Sequence, residues 1–203
     1  MLTAVTGINW GDEGKGRVID LLAENADVVV RYQGGNNAGH TVVAKQQKFV
    51  LNPLPSGILH ENVICVLGDG MVVDLEHLTN EIAQIREKGV VVTPNNLKLS
   101  KRAIISMPWH KIQDELEETR LAKTGAAFGS TKRGIAYAYS DKYRKKTLRL
   151  GDLLHLKEES VQNRLKMMLE AKNLELAGCY YQEPMSYPAL LSWCEAQAAE
   201  LWP

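Results

Sequence analysis

Three glycine-rich stretches carry residues that could bind phosphate or move a proton. The first lies at residues 9–24 (NWGDEGKGRVIDLLAE), where Lys15 sits among glycines ahead of an amphipathic pattern. Backbone N–H groups at a helix N-terminus bind anions, and glycine lets a phosphate approach them. Asp12 and Glu13 should repel that phosphate, and Gly16 stands where the usual phosphate-binding loop has a hydroxyl residue. The alternative for both acids is that they only favour the positive end of a helix dipole, by about 0.3 to 1 kcal/mol each.

The second stretch, RYQGGNNAGHT at residues 31–41, directly follows a valine-rich run. That run is typical of a buried strand, and ligands of open parallel sheets bind beyond the carboxyl ends of the strands. The first loop leaves its strand at the same edge, so we expect four side chains to face one crevice: Asp12, Lys15, Asn37 and His40. An isolated histidine is more often a hydrogen-bonded structural residue, but a place beside glycine in this loop makes His40 a candidate general acid.

The third stretch, residues 123–146, has small and basic residues between Gly129 and Gly134. These residues are Ser130, Thr131, Lys132 and Arg133. Glycines, hydroxyl groups and cations together predict a second oxyanion-binding loop. Taken alone, the stretch fits an ordinary solvated basic loop equally well.

The composition favours a small ligand. The 203 residues include 24 Lys and Arg and 24 Asp and Glu, so no net charge attracts nucleic acid or an anionic membrane. Cys65, Cys179 and Cys194 are too widely spaced for a disulfide framework or a zinc cluster, which indicates a reducing compartment. There is no leader pattern, and no apolar run approaches the roughly 18 residues of a membrane span. We expect a cytoplasmic protein with no nucleic-acid or membrane partner.

The first third of the chain predicts an α/β fold. Residues 2–6 and 27–31 are short apolar runs typical of buried strands, with the first loop and a helix between them. A strand, loop, helix and strand within about 30 residues form the βαβ unit of a parallel sheet.

Further patterns predict a hairpin at residues 41–52, two short strands at 62–73 separated by Gly68 and Gly70, and a helix at 75–88. After about residue 107, helical patterns follow at 109–123, 157–177 and 187–202. We expect a single domain at 1–203, with an α/β core at 1–106 and a mainly helical elaboration at 107–203 that includes the 124–146 loop.

Together these stretches resemble the adenylosuccinate synthetase family. The shared segments, in the family's order and approximate spacing, are WGDEGKG, VVRYQGGNNAGHT, LPSGIL, FGSTKRGIAYAYSDK and RLGDL. The first two are highly specific. The resemblance implies a mostly parallel sheet like that of P-loop NTPases, with a helical elaboration. It makes residues 1–106 the nucleotide-binding core and residues 124–146 a substrate loop. It also implies a ligase of purine biosynthesis that binds GTP and Mg²⁺ and joins IMP to L-aspartate.

The resemblance assigns a role to the acid in the first loop. Asp12 would take the N1 proton of IMP so that O6 attacks the γ-phosphate of GTP, and His40 would be the general acid opposite it. An acid belongs in a phosphate loop when it also holds the metal, and Mg²⁺ would bind Asp12 and the Gly39 carbonyl. The amino group of aspartate would then displace phosphate from the 6-phosphoryl-IMP intermediate.

The resemblance implies three overlapping sets of site residues. The catalytic set is Asp12, Lys15 and His40. The substrate-binding set is Asp12, Lys15, Asn37, Ala38, Gly39, His40, Thr131 and Lys145. The set that contacts the nucleotide phosphates is Gly11, Glu13, Gly14, Lys15, Gly16, Gly39, His40 and Thr41.

The chain departs from the family pattern in two places. The third loop usually has the sequence G-T-T-G-R-G-I-G-P-A-Y, and here Ser130, Lys132, Ala136 and Tyr137 are substitutions. In the family an arginine after this loop reaches the neighbour's IMP phosphate across a homodimer. That position is Lys145 here, with Arg144 just before it, and a lysine lacks the bidentate fork of arginine.

The family's chain is about twice as long as this one. The additional half carries the segments that recognise guanine and aspartate, so the 203-residue chain alone is expected to be inactive. The alternative function is a non-catalytic nucleotide-binding or dimerising module. A generic phosphate-loop hydrolase would need a water-positioning residue near these motifs, and the sequence offers no candidate.

Overall fold

The computed structural model describes residues 1–8, 14–44 and 46–201. In this part of the chain the strands are β1 (Val28–Gly34), β2 (His40–Ala44), β3 (Gln47–Leu51), β4 (Ile64–Val73), β5 (Leu97–Leu99) and β6 (Ile104–Ile105). The helices are α1 (Lys15–Ala23), α2 (Leu75–Glu87), α3 (Pro108–Ala122), α4 (Ile135–Tyr143), α5 (Glu159–Tyr180) and α6 (Tyr187–Leu201). Two 3₁₀ helices span Ser56–Leu59 and Leu150–His155.

The sheet is parallel and centred on β4. Strand β1 pairs with β4 on one side and β5 pairs with it on the other, while β6 pairs with the last residues of β4. The predicted α/β class with a parallel sheet is confirmed. The predicted hairpin is also confirmed, because β2 and β3 pair antiparallel as a separate two-stranded sheet.

The predicted strand at residues 2–6 is wrong. Residues 1–8 have no regular secondary structure, and Leu2 is 96% exposed. An apolar run becomes a strand only where a neighbouring strand supplies its hydrogen bonds, and none of the described strands pairs with residues 1–8. The second run does form β1, but it is not a buried strand, since Val28 and Val30 are about half exposed.

The prediction of two strands at residues 62–73 is also wrong, because β4 is continuous through both glycines. A Cβ atom on Gly70 would collide with the carbonyl oxygen of Tyr32, and one on Gly68 would lie 3.3 Å from the carbonyl oxygen of Arg31. The pairing of β1 with β4 also shifts register between Arg31 and Gln33. The glycines therefore allow close approach of two backbones at a bulge, which is the other common reason for glycine in a strand.

A hydrophobic cluster joins the sheet to the helices. Its fully buried members include Leu67 and Met71 of β4, Trp109 of α3, Leu165 of α5 and Cys194 of α6. The helical patterns predicted for the last part of the chain are confirmed as α3, α5 and α6. The predicted 124–146 loop is shorter than expected, because its second half forms α4.

A buried polar cluster links α3, α4 and α5. Lys172 Nζ, on a side chain that is 3% exposed, lies 3.0 Å from both Asp141 Oδ2 and Gln113 Oε1. His110 Nδ1 accepts the Met107 N–H, so its Nε2 donates to Asp141 Oδ2 at 3.1 Å. Burial lowers the pKa of His110, so the charged pair is Lys172 with Asp141. Removing one member of such a buried pair is strongly destabilising.

All three cysteines are free. None of the helices in the described ranges is long and apolar enough to cross a membrane.

Candidate functional site

The candidate site is described from the carboxyl edge of the parallel sheet, where β1 leads into the second loop. Strand β1 ends at Gly34 and β4 ends at Val73, so the 35–39 loop and Asp74 leave the sheet side by side. The buried Asn36 donates from Nδ2 to Asp74 Oδ2 at 2.7 Å, which joins the two strand ends. Asn36 Oδ1 is buried and has no hydrogen-bond partner among the described residues.

The start of α1 packs directly on His40, the first residue of β2. A Cβ atom on Gly16 would lie 2.5 Å from both Cβ and Cγ of His40, so only glycine fits there. Lys15 is the first residue of α1 and follows Gly14, which has a φ of +79°. The structure thus brings the first and second motifs together through Lys15, Gly16 and His40.

Part of the first motif lies outside the described residues. Gly11, Asp12 and Glu13 are in that part, so their predicted roles in proton transfer, phosphate contact and metal binding remain predictions. Within the described ranges, no three His, Cys, Asp or Glu side chains cluster as metal ligands would. Gly39 is described and exposed, next to His40.

One ring nitrogen of His40 is held by no described residue. Its Nε2 atom is buried and has no hydrogen-bond partner among the described residues, unlike a structural histidine held from that atom. Burial lowers the pKa of His40, and the positive charge of Arg31 lowers it further, while Asp20 opposes both effects. The imidazole is therefore neutral at neutral pH, and Nε2 is able to carry a proton for donation.

The other residues predicted in the second loop face solvent. Asn37, Ala38, Gly39 and Thr41 are exposed. A Cβ atom on Gly39 would lie 2.5 Å from Asn52 Nδ2, so the loop rests against Asn52 at the end of the hairpin.

A bracing network fixes Asn52. Its backbone N–H donates to Glu81 Oε1 at 2.8 Å, and its Oδ1 lies 3.2 Å from His77 Nε2. The Arg31 guanidinium donates to the carbonyl oxygens of both Asn52 and Gly35, the latter at 2.7 Å.

In the third loop, two backbone amides are bound by one of the protein's own carboxylates. The N–H groups of Gly129 and Ser130 donate to Glu118 Oε1 at 2.6 and 3.2 Å, so one of the protein's own carboxylates already occupies them. Asp114 accepts the Ser130 hydroxyl at 2.5 Å and the Gly134 N–H at 2.8 Å. The side chains of Thr131, Lys132 and Arg133 in this loop are exposed.

The second and third loops are neighbours. Ile135, the first residue of α4, packs with its Cδ1 atom against Gly35, where any side chain would collide. Burial is the largest cause of the lowered pKa of His77, and the positive charge of Arg133 lowers this pKa further. Arg133 and His77 are therefore near each other. His77 in turn contacts Asn52, against which Gly39 rests.

The predicted dimer residues lie past the end of α4. Lys145 is exposed and has a φ of +59°, and Arg144 is exposed with its Nη1 atom 3.8 Å from Asp141 Oδ1. Both side chains start on the surface of the chain, well placed to extend outward.

Sequence reasoning missed the side chains that hold the loops in place. One of them had a usable signal: Asp74 directly follows a buried strand, and its carboxylate caps α2 by accepting the His77 N–H. Asp114 and Glu118 had none, because acids in an amphipathic helix are usually solvated. Tyr139 had none either, although its hydroxyl accepts the Gly34 N–H and donates to the Gly70 carbonyl oxygen.

Comparison with known proteins identifies the family. The family model for adenylosuccinate synthetase matches residues 4–203. The chain belongs to the adenylosuccinate synthetase family. Its curated relatives include the synthetase of Carboxydothermus hydrogenoformans, 48% identical over 184 residues, and that of Halothermothrix orenii, 46% identical over 188 residues.

These alignments cover 91% and 93% of this chain, but 42% of each synthetase. A solved structure of fully ligated adenylosuccinate synthetase from Plasmodium falciparum superposes with a TM-score of 0.77 at 36% identity. That superposition covers 96% of this chain and 44% of the other. The chain therefore spans less than half the length of the synthetases it matches.

Two departures from the usual synthetase loop have visible consequences. Lys132, where the family has glycine, takes a left-handed φ of +55°, a conformation that costs a side-chain-bearing residue about 1 to 2 kcal/mol. Tyr137, where the family pattern has proline, lies close enough to Tyr180 of α5 for each to affect the pKa of the other, and the Tyr180 hydroxyl donates to Glu117 Oε2 at 3.1 Å. The second substitution adds a contact between α4 and α5.

Proposed function

We propose that this chain supplies the N-terminal part of an adenylosuccinate synthetase. The reaction is GTP-dependent ligation of IMP and L-aspartate through 6-phosphoryl-IMP. The observation that carries the proposal is the packing of Gly16 on His40, in a chain of this family. This packing joins the start of the proposed phosphate-binding helix α1 to a neutral histidine. The Nε2 atom of that histidine is buried and has no hydrogen-bond partner among the described residues.

Two residues move the protons in this proposal. Asp12 takes the N1 proton of IMP, which increases the negative charge on O6 for attack on the γ-phosphate. His40, neutral because burial lowers its pKa, donates from Nε2 to an oxygen on which negative charge develops. Lys15, at the start of α1, neutralises phosphate charge. Catalysis consists chiefly of positioning and charge stabilisation.

The donor set fits Mg²⁺. The proposed ligands are the Asp12 carboxylate and the Gly39 carbonyl, both hard oxygen donors of the kind that this ion prefers together with phosphate oxygens and water. When bound, the ion would neutralise charge on the transferring phosphoryl group.

The remaining substrate contacts are also proposals. Asn37 and Thr131, both exposed beside the site, bind IMP, with Thr131 on its phosphate. The working protein is a homodimer in which Lys145 or Arg144 reaches the neighbour's IMP phosphate, and their exposure past α4 supports this. The free thiols fit a reducing compartment, the cytoplasm.

A chimaera tests the proposal. Residues 1–203 of this chain are joined to the part of the Carboxydothermus hydrogenoformans synthetase that the alignment does not cover, and adenylosuccinate formation is measured with IMP, GTP, Mg²⁺ and aspartate. We expect turnover, and its loss in the same chimaera carrying Asp12→Asn, because an amide neither takes the proton nor holds the metal as well.

The control is the relative's own chain, cut and rejoined at the same junction. If that control is active and a folded chimaera forms no product, this chain is a nucleotide-binding or dimerising module and the proposal is wrong. Near-wild-type turnover of a folded Asp12→Asn chimaera would remove Asp12 from the base role.

A further inference from the structure

Three side chains on one face of α3 contact the elements that carry the two substrate loops. Lys111, Asp114 and Glu118 are separated by three and four positions, which aligns them along the helix. We call this set the α3 face. Asp114 and Glu118 are each 9% exposed, so they are not ordinary surface acids.

The first contact of the α3 face is with Asp74, which holds the second loop through Asn36. Lys111 Nζ lies 2.8 Å from Asp74 Oδ2, the same oxygen that accepts from Asn36 Nδ2 at 2.7 Å. Asp74 stands at the end of β4, and its other oxygen caps α2. Lys111 thus neutralises the carboxylate that fixes Asn36 at the start of the 35–39 loop.

The second contact of the α3 face is with the third loop. Glu118 accepts the N–H groups of residues 128, 129 and 130, the first through Oε2 at 3.2 Å. Asp114 accepts the Ser130 hydroxyl and the Gly134 N–H, so the loop is held on both sides of Thr131. Gly134 also lies against the α3 backbone, since a Cβ atom there would be 2.5 Å from the His110 carbonyl carbon.

We propose that Lys111, Asp114 and Glu118 are positioning residues that hold the 35–39 and 128–134 loops in fixed relation to each other. Their part in catalysis rests on the proposed function. Helix α3 contacts the 128–134 loop directly and the 35–39 loop through Asp74, in both cases through charged side chains. Hydrogen bonds to charged groups are the stronger ones. The α3 face therefore fixes where Thr131 and Asn37 meet a shared ligand.

Amide exchange measured by NMR on the 203-residue chain tests the positioning without substrate. In Glu118→Ala, exchange at residues 128–130 is expected to be at least about 10-fold faster, because each N–H loses a charged acceptor. Glu170→Ala is the matched control, since Glu170 is an exposed acid of α5 that forms no ion pair with residues 128–134, and it should leave this exchange unchanged. Unchanged loop exchange in folded Glu118→Ala would overturn the proposal.

Glu118→Gln keeps the test decisive if the alanine variant does not fold. Its single carbonyl oxygen can still accept from residues 129 and 130, so exchange should increase mainly at residue 128. Equal protection of all three amides in this variant would also contradict the proposed contacts.

Kinetics in the chimaera separate positioning from simple structural support. Lys111→Met and Glu118→Gln should each raise the KM for IMP about 10-fold, with kcat nearly unchanged at saturation. Lower kcat at unchanged KM would mean a smaller active fraction, and the positioning role would be wrong while the proposed ligase function stands.

Discussion

At the residue scale, His40 shows what sequence and structure each contribute. Its place beside Gly39 in a loop after a predicted strand made it a candidate acid. The structure adds two properties that spacing does not contain, a buried Nε2 without a partner among the described residues and a lowered pKa. Both depend on tertiary neighbours, chiefly Gly16 from one motif and Arg31 from the adjacent strand.

We expect His40→Asn in the active chimaera to lower kcat by about 100- to 10,000-fold, the range for loss of a general acid. The affinity for IMP should change much less. Steady-state kinetics and calorimetric titration measure the two effects separately. His155→Asn is the control, because His155 is exposed and pairs only with the nearby Glu158. Intact turnover at saturation with a collapse of affinity would make His40 a binding residue.

At the element scale, the bulge between β1 and β4 lies next to the carboxyl end of β1. The Tyr139 hydroxyl accepts the Gly34 N–H at 2.7 Å and donates to the Gly70 carbonyl oxygen at 2.9 Å. One side chain from α4 therefore joins the end of β1 to the backbone of β4 next to the 35–39 loop. The hydroxyl thus supplies a hydrogen-bond partner to the Gly34 N–H and to the Gly70 carbonyl, both next to the register shift between β1 and β4.

Tyr139→Phe should lower the free energy of unfolding by about 1 to 3 kcal/mol, because two partly buried backbone groups lose their partner. Urea unfolding measures this change, with an unchanged m-value expected if the compactness of both states is preserved. Tyr143→Phe on the same helix removes a hydroxyl from a residue that is 79% exposed and should have little effect. Equal effects of the two variants would contradict the bridging role.

Local signals predicted some elements and misassigned others for a physical reason. Helix α2 was predictable because an apolar period of 3.6 residues ends at Gly89, which has a φ of +81°. The apolar run at residues 2–6 carries an equally clear local pattern, but a strand needs a partner that no local pattern supplies. Gly68 and Gly70 resemble strand breakers locally, and only the path of β1 shows that they permit close approach.

The residues of the candidate site likewise include some that local sequence signals predicted and some that they did not. Asn37, Gly39 and His40 follow β1 at the carboxyl edge of the sheet, the edge where ligands of parallel sheets bind. The carboxylates of Asp114 and Glu118 were missed because their partners are 10 to 20 residues away along the chain. Whether a helical acid faces water or a loop amide depends on the route of that loop.

At the scale of the whole molecule, buried Glu81 couples stability to pH. Burial raises its pKa from 4.5 to about 7, while hydrogen bonds from the backbone of Asn52 and Leu54 and the charge of Arg31 oppose the rise. A carboxyl group with a raised folded-state pKa favours the native state below its unfolded pKa, where it is protonated in both states. Its contribution is lost as pH rises through the window from about 4.5 to about 7.

Glu81→Gln should remove this pH dependence, because the amide stays neutral throughout. The free energy of unfolding of the variant, relative to that of the natural chain, should therefore rise between pH 4.5 and 7, by at most about 3 kcal/mol. Chemical unfolding at a series of pH values measures the difference. Glu87→Gln, an exposed position on the same helix, is the control and should show no such trend. A pH-independent difference for Glu81→Gln would rule out the raised pKa.

The last prediction concerns the 203-residue chain by itself. We expect it to bind IMP weakly or not at all and to form no adenylosuccinate with GTP, Mg²⁺ and aspartate. The chain spans 42% of the length of matched synthetases, and Asn37, His40 and Thr131 line only part of the proposed pocket. Each polar group of a ligand that is buried without a partner costs about 1 to 3 kcal/mol, so a partial pocket loses affinity quickly.

Turnover should be affected more than affinity, because phosphoryl transfer depends almost wholly on holding both substrates in line. A coupled assay for adenylosuccinate and a calorimetric titration with IMP are carried out on the purified chain, with its mass verified. The active chimaera is the positive control under identical conditions. Measurable turnover by a preparation containing nothing longer than 203 residues would show that this chain holds a complete site, and that guanine and aspartate recognition lie within the sequence presented here.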